Sequence, residues 1–444
     1  MIDDQGFHDS ETIYIAAFCG GNDGNCAGGH TRSEQKMNFR YCQFTHGMAE
    51  ALVLEILCPR EIERGVMSLV KKTIGVAASV AVAFATFVAP AQAAPVGCDG
   101  DLKLVFQGAL TGPAAQTGIG EYNGFKLAVL QYNEKRGSSP KVEPGFIDTQ
   151  ADPAQSPALA LATVNDQCVL GVVGGMYSGE TRAALPIYLK AAVPVISPSA
   201  TNATLPTVGG DVFHRVVAND DVQGPALAKL AGNQPNAKVF IVDDQTTYGK
   251  DLSTTVKKTL AKAKQVGSDS VTEGTTNFSS VVAKVKKSGA NTVFYGGYYP
   301  EAAKFVKQLR DNAATKNVKF IAGDGVLDNE YIKLAKKNAE GTSMTAPYIP
   351  MERADKKLTA IYKKEFGVAP AVYTLETYNA AGFFLAAVKA GKTDRLAILD
   401  YINKTSYKGV GQTLKFDAKG EPATKVMNEF IVKNGKIEYV GAIK

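Results

Sequence analysis

The strongest constraint on the fold is an alternation of short apolar strands and amphipathic helices along residues 94–444. Six segments are short, apolar and bounded by turn residues, as strands are: "LKLVFQG", "CVLGVVGG", "VPVISPS", "KVFIVDD", "TVFYGGY" and "VKFIAGD". Between them lie helical patterns such as "EYNGFKLAVLQYNEK", in which Phe125, Ala128, Val129 and Tyr132 recur at helical spacing. Continuous apolar runs separated by helices predict parallel sheets covered on both faces, and therefore an α/β fold.

The number of strands and the length of this region predict two lobes rather than one, since a single core stops growing beyond roughly 300 residues. The first series breaks near "FHRVVANDDVQG", a second series starts at Lys238, and the non-periodic segment "TSMTAPYIPMERAD" precedes further helices. The C-terminal stretch alternates like antiparallel edge strands, with turns at Lys419-Gly420 and Asn434-Gly435. We expect a chain that crosses between the lobes more than once.

A secretory signal is predicted over residues 67–93, well inside the chain. Lys71 and Lys72 give a positive head, an uncharged apolar run follows, and Ala91-Gln92-Ala93 offers small residues for cleavage. The apolar run is shorter than the roughly 20 residues that a membrane span needs. A buried core helix is the alternative, which Pro90 and the small-residue site disfavour.

Residues 1–66 are Gly-rich and aperiodic, and Met67 stands where a signal would start. We therefore expect a disordered upstream extension that results from a misplaced start site.

Charge and histidine content exclude several classes of function. Residues 94–444 carry a net charge of +9, but their lysines lie in helical patterns and no arginine-rich arm is present, so nucleic acid is not an expected partner. His214 is the only histidine after the signal, and it falls in the predicted strand "DVFHRVV". It cannot supply a histidine cluster for a metal, and no Gly-x-Ser-x-Gly elbow surrounds Ser178. We expect no enzyme, no metal and no cofactor.

The two cysteines that follow the signal, Cys98 and Cys168, each precede a predicted strand. If those strands are parallel neighbours, both cysteines lie at the same end of the sheet and can form a disulfide, as exported proteins often do. The alternative is a lipoprotein in which Cys98 is acylated, although Pro95 and Val96 suit that site poorly. We expect the disulfide.

Ligands of open parallel sheets bind outside the carboxyl ends of the strands, so the residues there are candidates. They are hydroxyls, aromatic rings and one carboxylate: Met176, Tyr177 and Ser178 after one strand, Ser199, Ala200 and Thr201 after the next, and then Tyr248, Tyr298 and Asp324. Hydroxyls and helix-start N–H groups suit a carboxylate, and an acid suits an ammonium. Together they indicate a small zwitterion, an amino acid.

At these residues the sequence resembles the leucine/isoleucine/valine-binding protein family, the extracytoplasmic receptors of bacterial ABC importers. The resemblance extends over essentially all of residues 94–444 and depends on "GALTGPAAQTG", "ISPSATN", "FHRVVANDDVQG", "DDQTTYGKD", "TTNFSSVVAKVK", "FYGGYYPEA" and "ETYNAAGFF". It implies a type I periplasmic binding protein with two Rossmann-like parallel-sheet lobes and three crossovers. We place lobe I at 94–217 plus 348–426 and lobe II at 218–347 plus 427–444.

The resemblance implies a role for each candidate. Ser178, Thr201 and Tyr298 match positions that bind the ligand carboxylate, and Thr201 also touches the ammonium. Ser199 matches a position whose carbonyl accepts from the ammonium, and Asp324 matches the acid that pairs with it. Tyr248 and Tyr373 match aromatic contacts.

Two site residues and the cysteines depart from the family pattern. Asp324 is one methylene shorter than the usual glutamate. Thr117 replaces an aromatic residue, which removes apolar surface and makes a polar or larger ligand side chain possible. Ala151 replaces a family cysteine, and Cys98 is new.

The implied function is a receptor that binds a branched-chain or other neutral amino acid and delivers it to membrane permease subunits. We expect an exported monomer, periplasmic or on the cell surface. Two alternatives remain: the same fold binding another solute, such as an aromatic acid or an amide, or a ligand sensor that docks to a membrane signalling protein.

The order of positive head, apolar run and small-residue site predicts that the exported protein begins near Ala94. N-terminal sequencing of exported material should read from that residue. Exported protein that retains residues 1–66 would contradict the signal assignment, and a blocked chain beginning at Cys98 would indicate the lipoprotein instead.

Overall fold

The structure is a computed structural model that describes Cys98 and residues 100–443, together with the backbone of Cys26–Gly29 and Phe39–Cys42. The latter two segments, β1 (Cys26–Gly29) and β2 (Phe39–Cys42), pair antiparallel and belong to a separate compact unit. The predicted signal, and the rest of the predicted extension, lie outside the described residues. No helix within the described part of the chain is long and apolar enough to cross a membrane.

From Leu102 onward, strands and helices alternate. The strands are β3 (Leu102–Gly108), β4 (Val142–Asp148), β5 (Val169–Gly174), β6 (Val195–Ser197), β7 (Phe213–Arg215), β8 (Val239–Asp243), β9 (Gln265–Ser270), β10 (Thr292–Gly296), β11 (Lys319–Ala322), β12 (Ser343–Ala346), β13 (Tyr407–Lys408), β14 (Thr413–Leu414), β15 (Asn428–Lys433) and β16 (Lys436–Ala442). The α-helices are α1 (Ala115–Lys135), α2 (Ser156–Asn165), α3 (Ser178–Lys190), α4 (Leu205–Gly209), α5 (Asp220–Gly232), α6 (Thr247–Thr259), α7 (Ser279–Ser288), α8 (Tyr299–Asp311), α9 (Asn329–Ala335), α10 (Met351–Ala354), α11 (Lys356–Phe366), α12 (Thr374–Lys389) and α13 (Arg395–Lys404).

Two large sheets organise most of these elements, and both contain a parallel core with the same strand order; β13 and β14 pair antiparallel in a separate two-stranded sheet. In the first sheet the order is β4-β3-β5-β6-β7, and every pair is parallel. In the second sheet the order is β9-β8-β10-β11-β12, followed by the antiparallel β15 and β16. Each core reverses its winding direction next to its first strand, between β3 and β5 and between β8 and β10. Such a reversal is where open α/β sheets bind ligands.

The chain passes between the two sheets three times. It leaves the first sheet after β7, returns after β12 to form α12 and α13 against β5, and goes back to the second sheet at β15. The last two strands form a hairpin at Asn434 and Gly435, where the sequence predicted a turn, and both residues have positive φ.

Three strands of the two large sheets were not anticipated from the sequence, and each lacks the apolar run that identifies the others. β4 is interrupted by Pro144 and Gly145, and its Phe146 is 60% exposed, because it lies at the sheet edge. β9 is an edge strand of mostly polar residues. β12 has only four residues, and its buried threonine breaks the apolar pattern.

Cys98 and Cys168 are joined by a disulfide. Cys98 precedes β3 and Cys168 precedes β5, and these two strands are parallel neighbours in the first sheet. The bond therefore lies at the end of the sheet opposite to the carboxyl edge.

A buried ion pair connects β7 to the segment before β15. The Arg215 guanidinium is fully buried and donates two hydrogen bonds to Glu421, from Nε to Oε2 at 3.1 Å and from Nη2 to Oε1 at 2.6 Å. Its Nη1 donates to the carbonyl oxygens of Ala200 and Asn202, both at 2.8 Å. Arg215 thus holds the loop after β6 in place, with its charge balanced by Glu421.

We predict that Glu421→Gln lowers the free energy of unfolding by about 3–5 kcal/mol, because it leaves a buried guanidinium without its counter-charge. Urea unfolding measures the loss. The matched control is Asp400→Asn, which breaks an exposed pair with Lys404 and should cost less than about 1 kcal/mol. Equal losses of unfolding free energy in the two variants would show that the buried pair stabilises the protein no more than the exposed pair does.

Candidate functional site

A cavity of about 380 Å³, including its mouth, lies where the carboxyl edges of the two sheets face each other. From the first-sheet side come the start of α1, the loop from β5 into α3, and the loop after β6. From the second-sheet side come the first turn of α6, the residue before α8 and the turn after β11. The segment that leads into α12 completes the wall.

The structure brings together ten of the eleven residues proposed from the sequence as ligand-binding. These ten line the cavity: Thr117, Met176, Tyr177, Ser178, Ser199, Thr201, Tyr248, Tyr298, Asp324 and Tyr373. Ala200 does not line it, because its carbonyl oxygen points to Arg215 and accepts a hydrogen bond there.

Helix starts supply most of the polar lining. Ser178 is the first residue of α3, and its Oγ accepts from the N–H of Asn202 at 3.2 Å. Thr201 is 1% exposed, and its hydroxyl has no hydrogen-bond partner among the described residues. A hydroxyl that is buried, unpartnered and in a cavity wall is available to a ligand. The N-terminus of α3 adds partial positive charge beside these hydroxyls, which favours an anionic group.

Asp324 follows β11 and is held by two tyrosines. Its Oδ1 accepts from the hydroxyl of Tyr248 at 2.9 Å, and its Oδ2 accepts from the hydroxyl of Tyr373 at 2.8 Å. Burial raises the pKa of the Asp324 carboxyl above its ordinary value, and hydrogen bonds from Tyr373, Gln223 and Tyr248 partly offset that rise. A cation placed against Asp324 would stabilise its ionised form.

Tyr373 reaches the cavity from an unusual backbone conformation. It immediately precedes α12 with φ of 60°, in the left-handed region that residues other than glycine seldom adopt. Strain of this kind is typical of functional sites, where the surrounding structure holds it in place.

Several hydrogen bonds cross the cleft. The hydroxyl of Thr117 donates to Asp328 Oδ2 at 2.7 Å, and the hydroxyl of Tyr299 donates to the carbonyl of Pro113 at 2.8 Å. Near Ser178, the side-chain amide of Asn202 donates to Asp251 Oδ2 at 2.6 Å. These bonds describe a closed arrangement of the two sides. From the sequence, Thr117 was expected to make a polar or larger ligand side chain possible. That expectation did not take into account that the Thr117 hydroxyl donates to Asp328 on the opposite side of the cleft.

The sequence profile of the family described as "Periplasmic binding protein" matches residues 102–436, most of the chain. The chain belongs to the periplasmic binding protein family. The resemblance and the fold class expected from the sequence are thereby confirmed.

Relatives of this periplasmic binding protein include the Leu/Ile/Val-binding protein of Citrobacter freundii, 32% identical over 332 residues, which are 72% of this chain and 88% of the relative. The leucine-, isoleucine-, valine-, threonine- and alanine-binding protein of Pseudomonas aeruginosa is 29% identical over 326 residues, 72% of this chain and 87% of the relative. The branched-chain amino acid transporter substrate-binding protein of Streptococcus pneumoniae, solved with isoleucine, has a TM-score of 0.72 and 26% identity, covering 78% of this chain and 100% of that one.

Three residues that line the cavity of this periplasmic binding protein were not predicted from the sequence: Glu121, Gly325 and Val372. Glu121 lies one helical turn after Thr117 on the same face of α1, so helical spacing could have identified it. Val372 lines the same part of the cavity as Glu121, because α1 packs closely on the start of α12 and the residues just before it. A Cβ on Gly120 would lie 2.5 Å from Ala371 Cβ, and one on Gly124 would lie 2.2 Å from the Thr374 carbonyl oxygen.

Buried carboxyls surround the first-sheet side of the cavity. Glu180 Oε1 accepts from the N–H groups of Met176 and Tyr177 at 2.9 and 3.1 Å, and Oε2 accepts from the hydroxyl of Thr149. Burial raises the pKa of Glu180 to about 7 despite these bonds. Glu376, in the first turn of α12, has one oxygen with no hydrogen-bond partner within residues 100–443, and burial raises its pKa to about 8.

A carboxyl whose pKa is raised on folding stabilises the protein at low pH and loses that contribution as pH rises toward the folded-state value. For Glu376 the loss should develop between about pH 4.5 and pH 8, with a slope of up to about 1.4 kcal/mol per pH unit. We predict that Glu376→Gln makes the free energy of unfolding fall less steeply than in the parent over this range. Urea unfolding at pH 5, 6.5 and 8 measures the difference.

The control is Glu365→Gln, at an exposed position of α11. It should leave the pH profile of the parent unchanged. Parallel profiles for the parent and Glu376→Gln would contradict the prediction.

Proposed function

We propose that this chain is the extracytoplasmic solute-binding receptor of an ABC importer, which binds a neutral amino acid in the cavity and delivers it to permease subunits. The observation that carries the proposal is the pairing of one carboxylate with hydroxyl donors in a single cavity. Asp324 lies on the second-sheet side, whereas Ser178, at the start of α3, and Thr201, in the loop after β6, lie on the first-sheet side. This arrangement complements the two charges of an α-amino acid.

In the proposed complex the ligand ammonium lies against Asp324, with the carbonyl of Ser199 and the hydroxyl of Thr201 as further acceptors. The ligand carboxylate accepts from the hydroxyls of Ser178, Thr201 and Tyr298. The rings of Tyr177, Tyr248 and Tyr373, together with Met176, cover the body of the ligand, and Thr117 lies at the remaining side. The binding of branched-chain amino acids by the relatives supports this assignment.

Closure is proposed to occur between a lobe of residues 94–217 plus 348–426 and a lobe of residues 218–347 plus 427–444. The ligand-binding groups are divided between the two, so that a ligand interacts with all of them only in the closed form. A ligand can shift such an equilibrium only by its difference in affinity for the two forms. The cross-cleft bonds of Thr117 and Asn202 would form together with ligand binding.

The proposed place of action is outside the cytoplasm, after removal of a signal at residues 67–93, and the proposed state is a monomer without a lipid anchor. The sequence pattern of the signal supports export, and the disulfide between Cys98 and Cys168 is consistent with an oxidising compartment.

We predict that Asp324→Ala weakens amino-acid binding by roughly a hundred- to several-thousand-fold, because a buried ammonium without its counter-charge costs about 3–5 kcal/mol. Asp324→Glu should bind nearly as well as the parent, since it retains the carboxylate. Isothermal calorimetry with leucine, isoleucine, valine and threonine tests both variants.

Asp311→Ala is the control, because Asp311 is half exposed at the end of α8 and, among the described residues, pairs only with Lys307. It should bind like the parent. If Asp324→Ala bound amino acids as tightly as the parent, the ammonium assignment would be wrong, and an acid or an amide would be the better ligand class.

A further inference from the structure

Glu121 lines the cavity, and its carboxyl group accepts no hydrogen bond from the described residues. Its side chain is fully buried in α1, it forms part of the cavity wall, and neither of its oxygens accepts a hydrogen bond from any described residue. A buried carboxyl left without partners costs free energy, so its position in a ligand cavity needs an explanation.

The hydroxyls of Ser199 and Thr377 lie beside Glu121, but each donates its single hydrogen to a backbone carbonyl, so neither donates to the carboxyl. The hydroxyl of Ser199 donates to the carbonyl of Met176 at 3.0 Å, and the hydroxyl of Thr377 donates to the carbonyl of Tyr373 at 2.8 Å. Glu180, also buried on this side, accepts three hydrogen bonds from the protein. A purely structural glutamate here would be expected to have such partners, which Glu121 lacks.

At this end of the cavity, the neighbouring side-chain hydroxyls already donate to protein groups, whereas Glu121 has no described hydrogen-bond partner. Thr117, one turn earlier on α1, has committed its hydroxyl to Asp328, and the hydroxyl of Tyr177 donates to the carbonyl of Ala114 at 3.0 Å. Val372 gives this end an apolar wall. An apolar wall with one free carboxyl suits a short side chain that ends in a hydrogen-bonding group.

The protonation state agrees with this geometry. Burial raises the pKa of Glu121 well above its ordinary value. The neighbouring hydroxyls of Ser199 and, to a lesser degree, Thr377 oppose this rise, and the carboxyls of Glu180 and Glu376 add to it. A protonated Glu121 offers both an O–H donor and a carbonyl acceptor. A hydroxyl or an amide can use both, whereas a hydrocarbon can use neither.

We propose that Glu121 contacts the side chain of the bound amino acid and selects a hydroxyl or amide side chain over an all-carbon side chain of the same shape. This inference rests on the proposed function, since it assumes that the α-ammonium and α-carboxylate occupy the groups around Asp324 and Ser178. A ligand without a polar side chain leaves Glu121 unsatisfied in the closed cleft. The expected discrimination is about 5- to 140-fold in Kd, from the usual cost of an unsatisfied buried polar group.

Isosteric ligand pairs test the proposal directly. Calorimetry on the parent should show threonine binding more tightly than valine, and asparagine more tightly than leucine. In Glu121→Met, which keeps a long side chain but removes its hydrogen-bonding atoms, both preferences should disappear or reverse. Glu121→Gln retains a donor and an acceptor and should preserve them. The melting temperature of each variant without ligand checks that it is folded.

The proposal is overturned if the parent binds valine as tightly as threonine and leucine as tightly as asparagine, a result that needs no variant to fold. It is also overturned if Glu121→Met retains the ratios of the parent. In either case amino acids still bind and the proposed function stands. If none of the four amino acids binds the parent, the proposed function itself fails, and the inference fails with it.

Discussion

The geometry of the cavity depends on one constraint, that all strands in the two parallel cores run in the same direction within their sheet. A parallel strand must be followed by a crossover helix, so every strand of β3–β7 and of β8–β12 delivers a loop or a helix start to the same edge. The two edges face each other across the cavity. Ser178, Thr201, Tyr298 and Asp324 are far apart in the sequence, and they meet because each follows a strand of these cores.

The electrostatics of the cavity indicate what a ligand must supply. Its lining includes two carboxyls, Asp324 and Glu121, and neither lysine nor arginine is present among the residues that line it. Asp324 is stabilised by two tyrosine hydroxyls, whereas no residue in the described part of the chain donates a hydrogen bond to Glu121. A ligand that provides one cation satisfies Asp324, and a ligand that also provides a neutral hydrogen-bonding group satisfies Glu121. The hydroxyl of Ser178 at the start of α3 and the hydroxyl of Thr201 then face the ligand's negative charge.

Packing away from the cavity holds these groups in place. Arg215 fixes the loop that carries Thr201 by binding the carbonyls on either side of it, and Glu421 balances the charge of Arg215. On the other side, the close approach of α1 to the start of α12 requires Gly120 and Gly124, because a side chain at Gly120 would collide with Ala371, just before α12, and one at Gly124 would collide with Thr374, its first residue. This approach places Glu121 and Val372 in one wall. Polar groups positioned by buried contacts can discriminate between ligands of the same shape, because they cannot move to compensate for a missing partner.

The sequence by itself determined the fold class, the general location of the site and most of its lining. Short apolar runs such as "LKLVFQG" identify buried parallel strands without reference to their neighbours, and Ser178 or Asp324 can be assigned to a strand end from local order alone. Only the tertiary structure showed that β4 is an edge strand, that Thr117 forms a hydrogen bond across the cleft, and that the carbonyl of Ala200 accepts a hydrogen bond from Arg215. It also decided that Glu121 lines the cavity and accepts no hydrogen bond from the residues that the structure describes. These features depend on contacts between segments distant in the chain, and whether a buried polar atom has a partner is a property of its neighbours in space.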